Sequence, residues 1–292
     1  MSVERATRLY AILARRSPTA VVLRRGPSKQ VLLLRWDRSD DRFEAGQWLS
    51  ARVYERRCDL SPGGRLLVYF AGKHQGEHPT YTAISKPPYF TALALFPKGD
   101  TWGGGGLFEG ERHLRLNHVG SQMTLAPGFR LPRGFVLEPL HEHSGRGEDG
   151  PIEHLRRVRD GWSLHAEGQG KEHRLGSPLW LSLDPPQVYA RPHPRSDRVV
   201  LQERRWGIHE VDGPWYVQDY AVVIDGEDHL VIERGDWADW DCNGDLLWAK
   251  GGRIHRAPLD AKRGRLGEAR ELVDLRDERF RRLEAPADAR RW

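Results

Sequence analysis

Apolar positions fall along this chain in short runs of four to ten residues, separated by Gly, Pro, Asp, Asn and Ser. The clearest runs are Thr19 to Arg24, Gln30 to Trp36, Trp48 to Tyr54, Arg65 to Ala71 and Tyr89 to Phe96 in the first half, and Leu179 to Leu183, Val199 to Gln202, Trp215 to Ile224, His229 to Glu233 and Asp245 to Ala249 in the second. Each is rich in β-branched, aromatic or Leu residues and is bounded by turn formers, which predicts strands. Gly26-Pro27-Ser28-Lys29, Asp225-Gly226-Glu227-Asp228 and Lys250-Gly251-Gly252 read as hairpin turns, because Gly supplies positive φ and Asp tolerates it. Hairpins imply antiparallel pairing.

Helical periodicity is sparse. Pro151 to Arg159 offers Pro near a first helical position and an apolar face of Ile152, Leu155 and Val158; Ala261 to Leu272 is a second, weaker segment. Without crossover helices a parallel α/β sheet is not expected. The expected class is therefore all-β in one β-rich domain over residues 1–292, with a loop-rich segment around 117–150 whose length points to function.

An internal similarity sharpens the class. Asp59-Leu60-Ser61-Pro62-Gly63-Gly64-Arg65-Leu66-Leu67 aligns without gaps on Asp239-Trp240-Asp241-Cys242-Asn243-Gly244-Asp245-Leu246-Leu247, sharing Asp, Gly and Leu-Leu at fixed offsets 180 residues apart. That spacing fits about four units of roughly 40 to 45 residues, the size of a four-stranded propeller blade. The stretch Asp59 to Phe70 resembles the inner hairpin of blades in TolB-like and WD-repeat propellers, where an Asp-x-Ser-x-Asp-Gly turn precedes an apolar strand. It departs from that pattern at Gly63, and Gly-His and Trp-Asp signatures at WD-repeat spacing are absent. The resemblance implies a β-propeller of about five to six degenerate blades; an antiparallel sandwich or barrel is the alternative.

Composition adds limits. Hydrophobic residues make up 38% and charged residues 30% of the 292, and the 11 Trp, eight Tyr and eight Phe are enough to close a core. The apolar stretch Leu9 to Ala14 is too short for a secretory signal, and no run approaches a membrane helix. Two cysteines, Cys58 and Cys242, are too few for a disulfide framework, so both are expected as free thiols in a reducing cytoplasm. The net charge of +5 is spread over 46 basic and 41 acidic residues without clustering, which disfavours nucleic acid.

Candidate chemistry is thin. Trp102-Gly103-Gly104-Gly105-Gly106 sacrifices conformational entropy for close approach, either of a ligand or of packed strands, and is the ligand-binding candidate. No Lys-Ser or Lys-Thr follows it, so it is no Walker loop. His74-Gln75-Gly76-Glu77-His78 fits an inverzincin-like zinc pattern only on a helix, which Gly76 and Pro79 oppose; a solvated loop is expected. Asp239 to Asp245 matches half a calcium loop but has Lys250 where a bidentate Glu is needed, so a capped turn is expected. His141-Glu142-His143 is also assigned to solvated loop. Gly-x-Ser-x-Gly and Cys-x-x-Cys are absent. The Trp content suggests sugar stacking, although Trp36, Trp180 and Trp248 lie in runs where core packing suffices. No catalytic residue, metal or cofactor is assigned. A binding or scaffolding protein with an unknown protein or small-molecule partner leads; a hydrolase or lyase on a polar small molecule or sugar comes second, and nucleic-acid binding third.

Overall fold

A computed structural model describes residues 7–26, 29–173, 177–260 and 262–292. Among these the regular secondary structure is almost entirely β-strand, with one α-helix, Gly150–Arg159, and two short 3-10 turns. No helix among the described residues is long and apolar enough to cross a membrane. The chain divides into two compact units, Tyr10–Arg156 with Glu278–Trp292, and Met1–Leu9 with Arg157–Asp277.

The unit centred on residues 10–156 contains three sheets. Arg8–Leu13, Thr19–Arg25, Val31–Asp37 and Arg42–Leu49 pair in chain order; Arg52–Val53 and Asp59–Leu60 flank Leu67–Gly72, which continues to Thr80–Ser85 and Ala92–Pro97; Gly106–Gly110, His113–Leu116 and Val136–Pro139 form the third. The last pairing is parallel, an exception to the expected antiparallel rule. One core joins the first two sheets through Val21, Leu33, Leu67, Tyr69 and Ala83, and a second packs Val68, Phe96, Phe108 and Leu114 together.

The unit centred on residues 157–277 contains a six-stranded sheet. Its longest strands, Leu179–His193 and Ser196–Glu210, form a ribbon followed by Tyr216–Ile224 and Glu227–Ile232, with Ser163–Ala166 and Gly170–Glu172 both pairing the first of them. Trp237–Trp240, Leu246–Lys250, Arg253–Ala257 and Arg270–Asp274 make a four-stranded sheet. The core gathers Tyr189, Leu201, Val222, Trp240, Leu246 and Ala257. None of these sheets closes on itself, so the barrel alternative falls; an antiparallel sandwich is consistent with them.

Turn chemistry explains several connections. Asp225 and Gly226 both carry positive φ (51° and 89°) between the paired residues Ile224 and Glu227, as do Gly251 and Gly252 (57° and 79°) between Lys250 and Arg253. Such turns match the right-handed strand twist. Residues 27 and 28 of the first expected hairpin turn lie outside the described residues. Gly64 and Gly244 carry nearly equal φ (77° and 82°), and each donates its N–H three residues back, to Ser61 and Asp241. The two similar segments thus fold into the same turn.

Three expectations are corrected. The described residues 262–272 of the expected helix 261–272 form no helix: Leu259 pairs with Leu266 across a turn at Gly264, whose φ of 60° breaks a helical path, and Arg270–Asp274 joins the neighbouring sheet, while residue 261 lies outside the described residues. The run Trp48 to Tyr54 is split, since one strand ends at Leu49 and the next is only Arg52–Val53. The helix at 150–159 forms, yet Leu155 and Val158 face solvent while Ile152, Glu153 and Arg156 are buried. The Arg56–Glu153 ion pair fixes which face turns inward.

Candidate functional site

Arg56 and Arg57 sit in the tight turn Glu55–Arg57 and receive the helix. Arg56 pairs with Glu153, Arg57 Nε donates to Asp149 Oδ1 at 2.6 Å, and Arg156 donates to the Cys58 carbonyl and the Tyr10 hydroxyl. Carboxylates thus match the buried Arg56 and Arg57, and neutral oxygens accept from Arg156, which is what burial requires. The Arg57 guanidinium also donates to the Thr101 and Gly103 carbonyls, both at 2.7 Å, and lies over the Tyr54 and Phe70 rings.

The glycine run is thereby placed. Gly103, Gly104 and Gly105 all have positive φ (93°, 88° and 81°) and, with Gly106, are buried. A Cβ on Gly104 would lie 2.3 Å from the Phe70 ring, one on Gly105 2.1 Å from the Arg57 carbonyl oxygen, and one on Gly106 2.6 Å from that of Arg115. Protein atoms occupy the space beside each. Trp102 is the exposed member of the five, at 57%.

His118 completes this hub. The Gly105 N–H donates to Thr82 Oγ1 at 2.8 Å, Thr82 Oγ1 lies 2.8 Å from His118 Nε2, and His118 Nδ1 lies 2.9 Å from the Gln122 carbonyl. A carbonyl only accepts, so Nδ1 carries the proton and Nε2 accepts from Thr82. Burial holds the His118 pKa down at about 4. Folding therefore favours the neutral ring. Its stabilisation is complete above pH 6.5, where the unfolded imidazole is also neutral, and is lost as pH falls from 6.5 toward 4. We expect about 2 kcal/mol of stability to disappear between pH 7 and pH 5 through this group. Urea unfolding at both pH values should show that loss in the parent and a smaller one in His118→Asn; equal losses would contradict the assignment.

The other motifs resolve as turns and loops. Residues His74 to Glu77 are exposed in the connection between Leu67–Gly72 and Thr80–Ser85. His143 is exposed, with its ring centroid 6.4 Å from that of His141. Asp241 and Asp245 both accept from Arg256 Nη1, at 2.6 and 2.9 Å, so an arginine fills the place a cation would take. Among the described residues no three His, Cys, Asp or Glu side chains gather to hold a metal ion. Cys58 and Cys242 are free thiols; Cys58 is fully buried, which pushes its pKa up to about 12.

In the other unit, Glu203 accepts from Arg157, from Arg205 at 3.1 Å and from the Tyr220 hydroxyl at 3.2 Å. In the same unit, Asp239 pairs with Arg191 and accepts the Trp240 N–H at 2.8 Å. Burial raises the Asp239 carboxyl and the charge on Asp160 adds to it, while Arg191 opposes both.

An aromatic row crosses the same unit's six-stranded sheet. The His173 N–H donates to the Trp180 carbonyl at 2.9 Å; the register pairing Leu179 with Glu210 and Leu181 with Ile208 sets Trp180 opposite His209; and the His209 N–H donates to the Trp215 carbonyl at 2.6 Å. Directly opposed residues share a face. The His209 and Trp215 rings stack at 4.7 Å, with His209 held at φ 55°, an uncommon conformation for a residue with a side chain. Trp180 is 50% exposed. Its expected core position is thus corrected: the sheet runs past its core, and no described residue from 170–183 or 206–216 belongs to the buried cluster beneath the rest of the sheet. Trp36 and Trp248, by contrast, are buried.

No protein-family model matches this chain, and no curated protein matches it. Among solved structures it is similar to an uncharacterized protein from Listeria monocytogenes EGD-e, at 8% identity and a TM-score of 0.38, over 94% of this chain and 97% of that one.

Proposed function

We propose that this chain is a non-catalytic binding protein, a propeller-like succession of about five degenerate blades that holds its ligand on the open end of the six-stranded sheet. The row His173, Trp180, His209 and Trp215 carries the proposal: exposed aromatic surface set on rigid strands is the mark of an interaction site. The buried charges at Arg57, Glu153 and Glu203 are engaged by structural partners, which fits a scaffold better than a catalytic centre. Sheets drawn successively from residues 8–49, 52–97, 106–139, 163–232 and 237–274, with the matched turns at Gly64 and Gly244, support the blade arrangement. Two free thiols, one sealed by burial, fit a reducing cytoplasm.

Asp239 favours a second reading. A carboxyl raised by burial beside a second acid is suited to general acid chemistry in a hydrolase or lyase. One panel of neutral oligosaccharides, peptides and single-stranded DNA, assayed for binding and for products, separates the possibilities. We expect binding without product, weakened in Trp180→Ala. Product formation that disappears in Asp239→Asn would overturn the binding function, and affinity falling steeply between about 50 and 200 mM salt would point to nucleic acid instead.

A further inference from the structure

Resting on that binding function, we propose that the aromatic row binds a neutral oligosaccharide whose sugar rings carry equatorial hydroxyls, with Trp180 as the principal stacking surface. Neighbouring strands lie about 5 Å apart, so Trp180 and Trp215, two strands apart in one row, are separated by roughly 10 Å. That suits an extended chain of linked sugars, with successive units meeting successive aromatic residues. A pyranose with equatorial hydroxyls presents a face of axial C–H groups, weakly positive and apolar, to the negative face of an indole. Its hydroxyls then point sideways toward polar groups.

Such groups stand beside the row. Ser182 shares a face with Trp180, and its hydroxyl lies 2.8 Å from His173 Nε2. Lys171 is exposed and pairs in register with Ser182, while Gly207 opposite Ser182 adds no side chain that would rise between the rings. His209 keeps its left-handed backbone while stacking on Trp215, the kind of strained position that recurs at ligand sites.

Charge selects the class. Among the described residues of 170–183 and 206–216, Lys171 stands against Glu172, Glu210 and Asp212, and Glu210 is engaged by Arg234. Single-stranded nucleic acid needs a positive track alongside its stacking residues, and the described residues of this surface form none. A proline-rich peptide needs an aromatic-lined groove, whereas this row runs across the strands of an open sheet.

Isothermal titration with cellopentaose and chitopentaose tests the proposal on the full chain. At least one should bind, with affinity unaffected by salt between about 50 and 200 mM. Trp180→Ala should weaken binding about tenfold or more without lowering the melting temperature, because the indole is half exposed, and Trp180→Phe should retain most of the affinity. Failure of both sugars to bind at millimolar concentration, or full affinity in Trp180→Ala, would overturn the proposal. If both sugars fail while a proline-rich peptide or oligo-dT binds and loses affinity in Trp180→Ala, the sugar assignment falls and the binding function stands. Product formation abolished by Asp239→Asn would bring down both.

Discussion

Replacing Gly105 by Ala is expected to destabilise the protein by about 3 kcal/mol or more, and the Gly104→Ala, Gly105→Ala pair by more still. Two costs add. Left-handed backbone strains any residue with a Cβ, and the new methyl at 105 would lie 2.1 Å from the Arg57 carbonyl oxygen, a backbone atom that cannot swing away. At 104 the obstacle is the Phe70 ring at 2.3 Å, itself held against the Arg57 guanidinium. A melting temperature lowered on the order of 10 °C is the expected result. A double variant that melts like the parent would contradict the packing described, and if it also lost a ligand seen with the parent, the binding site would move to Trp102 through Gly106.

Glu203→Ala is expected to cost about 3 to 5 kcal/mol, because it strips the carboxylate from the buried Arg157 and Arg205 together. Arg157 also lies 4.0 Å over the Tyr189 ring and Arg205 4.1 Å over Tyr216, which fixes both guanidinium groups where the lost charge would leave them. Denaturant unfolding reads the effect as a lowered midpoint at unchanged slope. A loss under about 1 kcal/mol would mean that water or a rearranged partner replaces the carboxylate at little cost.

How far the sequence reveals this structure depends on the range of the interaction. The Asp225-Gly226 and Gly251-Gly252 turns are legible because positive φ is a local demand that a dipeptide can announce. The all-β class follows from many such local signals. The 179–183 run was misleading at Trp180: Leu179, Leu181 and Leu183 look like a core strand, but nothing local tells where a sheet outruns its core. Pairing across long separations is silent too. Arg56 meets Glu153 and Arg156 meets the Cys58 carbonyl 97 and 98 positions away, so the polar inner face of the 150–159 helix was hidden behind its apolar Leu155 and Val158. His118 gives no signal at all, since its neutral state arises from burial, which tertiary packing around Thr82 and Phe96 supplies. The glycine run was legible as a place of close approach, while what approaches it, Arg57 and Phe70, is a property of tertiary packing.

Indole N–H resonances place a ligand on this chain most directly. With the tryptophans isotopically labelled and assigned by single substitutions, addition of the pentasaccharide that binds should shift the resonances of Trp180 and Trp215 and leave buried Trp36 and Trp240 in place. Shifts confined to Trp102, or shifts that spare Trp180, would contradict the account.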